Sequence, residues 1–222
     1  HELLDACPYI EGIVEGEGEE ALRSISLGAD ISHVPGAVYR IGNETIHNQA
    51  VYPGTLDQVP SADFSDFDLT KYCVPSPVLP IVTSRGCKWR RCRFCAHNFS
   101  FGKYRAKDIK SVVDELLYYV ERFNVRHFYF ADQYMDAGTL DLLSTALVEE
   151  DVGVRFHVMG RPTADYTREL LDKLYKAGCR WISWGVESGS QRLLDLVDKG
   201  TKIEDVRRVV IDTADAGISN LL

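Results

Sequence analysis

Three cysteines crowd one short stretch, Cys87-Lys88-Trp89-Arg90-Arg91-Cys92-Arg93-Phe94-Cys95, with four residues between the first two and two between the last two. Thiolates this close in one loop gain little from bonding to one another. They suit a soft metal centre, and iron–sulfur clusters are held by cysteine thiolates. Three ligands leave one position of a four-iron cluster open, and an open coordination position is where a metal centre does chemistry. The spacing therefore points to a catalytic cluster rather than an electron wire. His97 follows close behind, so a structural zinc site of three thiolates and one imidazole is the alternative from another class. Zinc modules of that kind staple small domains that lack a core, whereas this loop is embedded in a long alternating pattern.

That pattern supplies the frame. Residues 78–83 read as a strand leading into the cysteines, and residues 108–123 as a helix with Ile109, Val112, Val113, Leu116, Leu117 and Val120 on one face. Strands are expected at 126–131, 154–159 and 180–186, and helices at 140–149, 166–177, 191–197 and 203–214, with a last strand beginning at 218. Repeated βα units imply a parallel sheet with right-handed crossovers, rolled towards a barrel. In such sheets working residues sit at the carboxyl ends of strands. The cysteine loop follows the first strand, Asp132 the second, Arg161 the third and Glu187 the fourth. In the fourth, alternation puts Trp181, Ser183, Gly185 and Glu187 on one face and Ile182, Trp184 and Val186 on the other. The bulky face suits helix packing, and the small residues leave room beneath Glu187. His127 and His157 lie on strands and read as satisfied core residues.

Upstream, residues 37–48 alternate as a hairpin around Gly42-Asn43, and 53–77 is a linker rich in Pro, Asp and Ser. At 222 residues with 45% apolar and 26% charged residues, the chain has the composition of an ordinary globular protein. A net charge of −8 disfavours a general nucleic-acid surface. Positive charge is nonetheless dense around the cysteines, at Arg85, Lys88, Arg90, Arg91 and Arg93, as a solvated loop or a docking patch for an anionic partner. No signal peptide, membrane span or lipidation motif is read, and the six cysteines do not form a secreted disulfide framework. A reducing cytoplasm is the expected location. Both ends read as cut within elements.

Thr83-Ser84-Arg85-Gly86-Cys87 with Cys92-Arg93-Phe94-Cys95 resembles the cluster loop of radical S-adenosylmethionine (radical SAM) enzymes. Gly185-Val186-Glu187-Ser188-Gly189-Ser190-Gln191, with Leu194 and Lys199-Gly200, is similar to the fourth-strand region of the same superfamily. The resemblance covers residues 78–222. It implies an α/β fold, a partial (βα)6 TIM-like barrel that stops after the start of strand five. Glu15-Gly16-Glu17-Gly18-Glu19 resembles the last strand-to-helix junction of the Rossmann-like domain in the cobalamin-binding subgroup. Pro35-Gly36-Ala37-Val38-Tyr39-Arg40 resembles the hairpin after it. The division expected is thus a domain remnant at 1–35, hairpin and linker at 36–77, and a radical SAM core at 78–222. One departure is the four residues between the first two cysteines, where three are commonest; it leaves the subfamily open.

The resemblance implies that Cys87, Cys92 and Cys95 hold a 4Fe–4S cluster whose remaining iron binds the amino and carboxylate groups of S-adenosylmethionine (SAM). One electron into SAM cleaves its C5′–S bond and releases methionine and a 5′-deoxyadenosyl radical, which abstracts a substrate hydrogen. By the same resemblance Phe94 lies beside the adenine and Glu187 contacts SAM; Asp132, Arg161 and Ser188 are the further cofactor-binding positions. A cobalamin would bind mostly outside this chain. The expected substrate is a small molecule or peptide, and the expected electron donor an anionic protein such as a flavodoxin or ferredoxin. Cobalamin-dependent methylation or rearrangement is the reaction considered. A tRNA-modifying radical SAM enzyme is the runner-up, disfavoured by the acidity of the chain.

Overall fold

The alternating pattern assembles, in a computed structural model that describes residues 2–97 and 102–222, around a five-stranded parallel sheet. After a short helix α1 (Glu2–Ala6), β1 (Gly12–Val14) and α2 (Glu19–Ser26) lead into the hairpin β2 (Ala37–Ile41) and β3 (Glu44–His47). Then follow β4 (Val78–Ile81), the two-residue strands β5 (Ser84–Arg85) and β6 (Arg105–Ala106), α3 (Ile109–Phe123), β7 (His127–Phe130), α4 (Ala137–Glu149) and β8 (Arg155–Gly160). The chain continues through α5 (Arg168–Ala177), β9 (Cys179–Trp184), α6 (Gln191–Leu196), α7 (Ile203–Asp215) and β10 (Ser219–Leu221). The large sheet runs in the order β10-β9-β8-β7-β4, and every neighbouring pair is parallel.

Local chemistry sets the helix boundaries. Asp108 caps α3 by accepting from the Lys110 amide, and Thr167 caps α5 by accepting from the Leu170 amide. Asn124 and Gly178 end these helices in the left-handed conformation. Strand alternation decides the faces. Phe128, Phe130, Phe156, Val158, Ile182 and Trp184 point to the helices and are buried with Leu116, Leu140, Leu143, Leu171 and Leu174 in one core. Burial of each such side chain contributes about 1.5–3 kcal/mol. Across the sheet, Tyr129, His157, Met159 and Ser183 are half-buried. His157 Nε2 lies 2.7 Å from Ser183 Oγ, and His127 Nδ1 lies 2.6 Å from Ser76 Oγ, so both imidazoles have hydroxyl partners. Cys179 is fully buried, which pushes its thiol up to about 12. No helix among the described residues is long and apolar enough to cross a membrane.

One pairing is new and one expectation is corrected. In segment 1–35, β1 pairs antiparallel with β2 to make a three-stranded sheet β1-β2-β3 with β1 at its edge. The reason is the turn at Pro35-Gly36. Gly36 takes φ +69° and a Cβ there would lie 2.5 Å from the Glu15 carbonyl oxygen, so only glycine lets the chain fold back so closely. The sheet therefore crosses the expected boundary after residue 35. Strand four ends at Trp184 rather than at residue 186, because the Val186 amide donates back to the Trp184 carbonyl and Glu187 turns to φ +64°.

Candidate functional site

The cysteine loop leaves the carboxyl end of β4 and is rooted there by Asp132, which follows β7. Asp132 is 1% exposed and accepts from the Thr83 amide (3.3 Å), the Thr83 hydroxyl (2.9 Å) and the Ser84 hydroxyl (2.5 Å). Burial raises its carboxyl above the ordinary range, and these donors act against that. Beyond Ser84, β5 and β6 pair antiparallel and bring the two ends of the loop together. Within it, Arg90 takes φ +48° and donates its amide to Cys87 Sγ at 3.4 Å, while the Cys95 amide donates to the Cys92 carbonyl. All six cysteines are thiols, and Cys87, Cys92 and Cys95 are half-buried.

These three thiols and His97 line one side of a cavity of about 340 Å³. Burial pushes the Cys92 thiol up; Cys87 and Cys95 add to this, and Lys199 and Arg161 oppose it. The far side is built from the ends of β7, β8 and β9. Arg161, after β8, stacks its guanidinium 4.1 Å from the Trp89 ring centroid and 5.7 Å from that of Tyr134. Its Nη1 donates to the Lys199 carbonyl at 3.0 Å, and its Nε is buried without a partner. Gln133 Oε1, also in the cavity wall, is a buried acceptor without a partner. Lys199 is 7% exposed; its ammonium donates to Glu187 Oε1 at 2.8 Å and lies 5.8 Å from the centre of the Phe94 ring. Burial raises the Tyr134 hydroxyl to about 12.

The tip of the loop is tied to the turn after α6. The Trp89 indole donates to the Asp198 carbonyl at 2.8 Å, the Arg93 amide donates to the Val197 carbonyl at 3.0 Å, and Arg91 pairs with Asp198. The indole lies flush against Gly200, which takes φ +68°; a Cβ there would sit 2.0 Å from Trp89 Cζ2.

The structure thus brings Cys87, Cys92, Cys95, Phe94, Asp132, Arg161 and Glu187 to a single cavity. Ser188 does not line it: its hydroxyl accepts from the Ser190 amide at the start of α6. Asp132 lines it, yet its hydrogen bonds all run back to Thr83 and Ser84. Sequence reasoning missed Gln133, Tyr134, Trp89 and Lys199 as wall residues. Gln133 had a usable signal, since it stands beside Asp132 at the same strand end. Lys199 stood in a recognised motif, but its place beside Glu187 depends on how the 197–200 turn folds back.

Two metal chemistries use cysteine donors. A zinc ion needs its donors to converge at about 2.0–2.3 Å from one point. Among the described residues no group of three or more His, Cys, Asp or Glu side chains is arranged to hold a metal ion in that way. A four-iron cluster takes one thiolate on each of three irons, so its ligands surround a space rather than meet at a point. Three soft thiol donors, Cys87, Cys92 and Cys95, lining one cavity fit the cluster.

The family model described as Radical SAM superfamily matches residues 81–222. An uncharacterized methyltransferase of Pyrococcus horikoshii is 26% identical over 207 residues, covering 87% of this chain and 44% of that protein. The anaerobic magnesium-protoporphyrin IX monomethyl ester cyclase of Rubrivivax gelatinosus is 29% identical over 233 residues, covering 98% of this chain and 41% of that protein. The chain therefore spans under half the length of these relatives. Among solved structures, the radical SAM methyltransferase TsrM of Kitasatospora setae, with tryptophan substrate and a SAM analogue bound, shares the fold at a TM-score of 0.74 and 22% identity. That match covers 98% of this chain and 46% of that one. The cobalamin-dependent SAM radical enzyme OxsB shares it at 0.75 and 24% identity, covering 94% and 32%.

Proposed function

The chain belongs to the radical SAM superfamily, and from that premise we propose that Cys87, Cys92 and Cys95 hold a 4Fe–4S cluster with SAM in the adjoining cavity, for radical chemistry on a small molecule or peptide. The observation that carries this reading is one cavity lined by the three thiols Cys87, Cys92 and Cys95 together with Phe94, Arg161, Glu187 and Lys199. Cys87, Cys92 and Cys95 would hold the cluster, which when bound would supply the electron for reductive cleavage of SAM.

The protein's own contribution is position and charge. Phe94 offers a ring face beside the cysteines for the adenine. Lys199 and Arg161 place two cations in the wall, where they meet the SAM carboxylate. Glu187, held by Lys199, offers a carboxylate to the amino or hydroxyl groups of SAM. Asp132 acts at one remove, fixing the root of the loop through Thr83 and Ser84, and Ser188 turns the chain ahead of α6 by accepting from the Ser190 amide. A half-closed cavity shields a reactive carbon radical from solvent. The parallel βα units are read as the first part of a TIM-like partial barrel.

We assign the intact protein to cobalamin-assisted methylation or ring formation, supported by the resemblance of residues 15–19 and 35–40 to the cobalamin-binding subgroup and by the relatives' names. Four of the five basic residues near the cysteines are tied within the fold: Arg85 to Glu17 and Glu19, Lys88 to Asp136, Arg90 to the Gly102 carbonyl, and Arg91 to Asp198. Docking of a flavodoxin or ferredoxin is assigned to the remaining exposed surface of the loop.

The test is anaerobic reconstitution of the full-length protein, followed by desalting, sulfide assay and incubation with SAM and dithionite. Brown protein that retains acid-labile sulfide and forms 5′-deoxyadenosine is the expected result. Colourless protein holding zinc would reverse the assignment.

A further inference from the structure

Glu17 lies in the acidic run Glu15 to Glu19 at the junction of β1 and α2. Its side chain is 5% exposed. Oε2 accepts from Arg85 Nη1 at 2.8 Å and from Arg105 Nη1 at 3.1 Å, and Oε1 pairs with Arg105 Nη2. The two arginine side chains are themselves only 18% and 11% exposed. They are also register partners: Arg85 stands opposite Arg105 in the two-residue ladder of β5 and β6. That ladder closes the base of the cysteine loop, and Cys87 is two residues past Arg85.

A ladder of two residues has too few bonds to persist alone. Two like charges directly opposite one another work against it. The Glu17 carboxylate reverses the sign of that interaction, because one anion sits between both guanidiniums and hydrogen-bonds to each. Glu19 takes a further nitrogen of Arg85, and Arg105 also donates to the Pro53 carbonyl at 3.1 Å. Neither of these groups reaches across the ladder.

We infer that Glu17 is a positioning residue for the cysteine loop, a carboxylate from the upstream β1–α2 junction that clamps the strand entering the loop to the strand leaving it. It touches neither cysteine nor cavity and acts through Arg85 and Arg105. The upstream segment and the cysteine loop are thereby one mechanical unit. The inference rests on the reading of the three cysteines as cluster ligands, and its test separates the two.

The full-length protein and its Glu17→Ala, Glu17→Gln and Glu17→Asp variants are compared in two measurements. In the cluster-free protein, amide exchange at Arg85 and Arg105, the hydrogen-bonded pair of the ladder, should quicken by about tenfold or more in Glu17→Ala and Glu17→Gln, while the β8 amides keep their rates. Glu17→Asp, which keeps the charge, should recover most of the protection. After anaerobic reconstitution, the Ala and Gln variants should lose most of the acid-labile sulfide retained by the wild type, and the electron paramagnetic resonance signal of the reduced cluster should broaden. Unchanged exchange in Glu17→Ala overturns the inference. So does equal acceleration in β8, because Glu17 would then merely stabilise the whole fold. A wild-type protein that takes up no cluster defeats the functional reading instead, and the exchange measurement still decides the clamp.

Discussion

The cysteine loop is held at its base by charge and at its tip by shape. At the base, one buried carboxylate joins two arginines across a short ladder. At the tip, an indole fits against a residue with no side chain and donates to a backbone carbonyl. The two anchors fail in different ways. Removing one member of a buried ionic group leaves its partners desolvated and uncompensated. A packed contact tolerates changes of charge nearby but not an added methyl group. The cysteines lie between these supports, so the tip can be disturbed by size without touching the base.

The largest effects test what lies between the anchors. Cys87→Ala, Cys92→Ala and Cys95→Ala should each lose most iron and sulfide after anaerobic reconstitution, while Cys7, Cys73 and Cys179 variants keep theirs. Full iron content in Cys92→Ala would contradict the ligand assignment. Next, Trp89→Ala removes the indole from Gly200, Asp198 and Arg161 together. A half-buried tryptophan at this position should cost about 2–3 kcal/mol, read by chemical denaturation of the cluster-free protein, with amides at the base of the loop still protected. Loss of protection at both ends would mean that the anchors are not separable.

Gly200→Ala adds a methyl group where the indole already lies, in a backbone conformation unfavourable to alanine. A cost of about 1–3 kcal/mol is expected, with weaker SAM binding as Trp89 shifts under Arg161; SAM titration by calorimetry checks it. Glu187→Gln breaks an ion pair in the wall without disturbing either anchor. SAM affinity should fall by about 1–2 kcal/mol while the cluster spectrum is retained, and unchanged affinity would remove Glu187 from the SAM contacts.

The smallest effect is a pH response confined to the base. Burial alone would raise the Glu17 carboxyl, but hydrogen bonds from Arg105 and Arg85 outweigh it and leave the group below the ordinary 4.5. A carboxylate lowered in the folded state contributes stability that is complete above its unfolded value and is lost as pH falls through its folded value. The base should therefore hold at all pH values above 4.5 and loosen only below that. At the tip the indole, glycine and backbone carbonyl do not titrate, and the Arg91–Asp198 pair beside them is solvent-exposed and contributes little. Exchange measured against pH, corrected for intrinsic rates, should show acid loosening at Arg85 and Arg105 before residues 197–200.

What could be read from the sequence follows the range of the interactions. The helices of the parallel sheet declare themselves through apolar spacing within a few turns, and the cysteine loop through three residues in one short stretch. The clamp was unreadable because Glu17 and Arg85 are 68 positions apart, and an acidic run looks solvated until its partners are known. The pairing of β1 was unreadable for a different reason: three residues carry too little alternation to choose a neighbour. Asp132 shows the limit of a rule. A polar residue at a strand end faces either the cavity or the next loop, and here Thr83 and Ser84 engage its carboxylate.

The two-residue ladder has a consequence for how a metal centre could be assembled. Pairing of Ser84–Arg85 with Arg105–Ala106 makes the intervening chain a closed loop through protein contacts alone. Closing a flexible segment costs chain entropy that grows as about (3/2)RT ln n, and that cost falls on the folding of the polypeptide. Incoming iron then meets thiols whose search volume is already small. Capture becomes less a matter of collecting three distant ligands than of closing one tethered segment around the metal, so cluster uptake should depend on the integrity of the ladder as well as on the three thiolates.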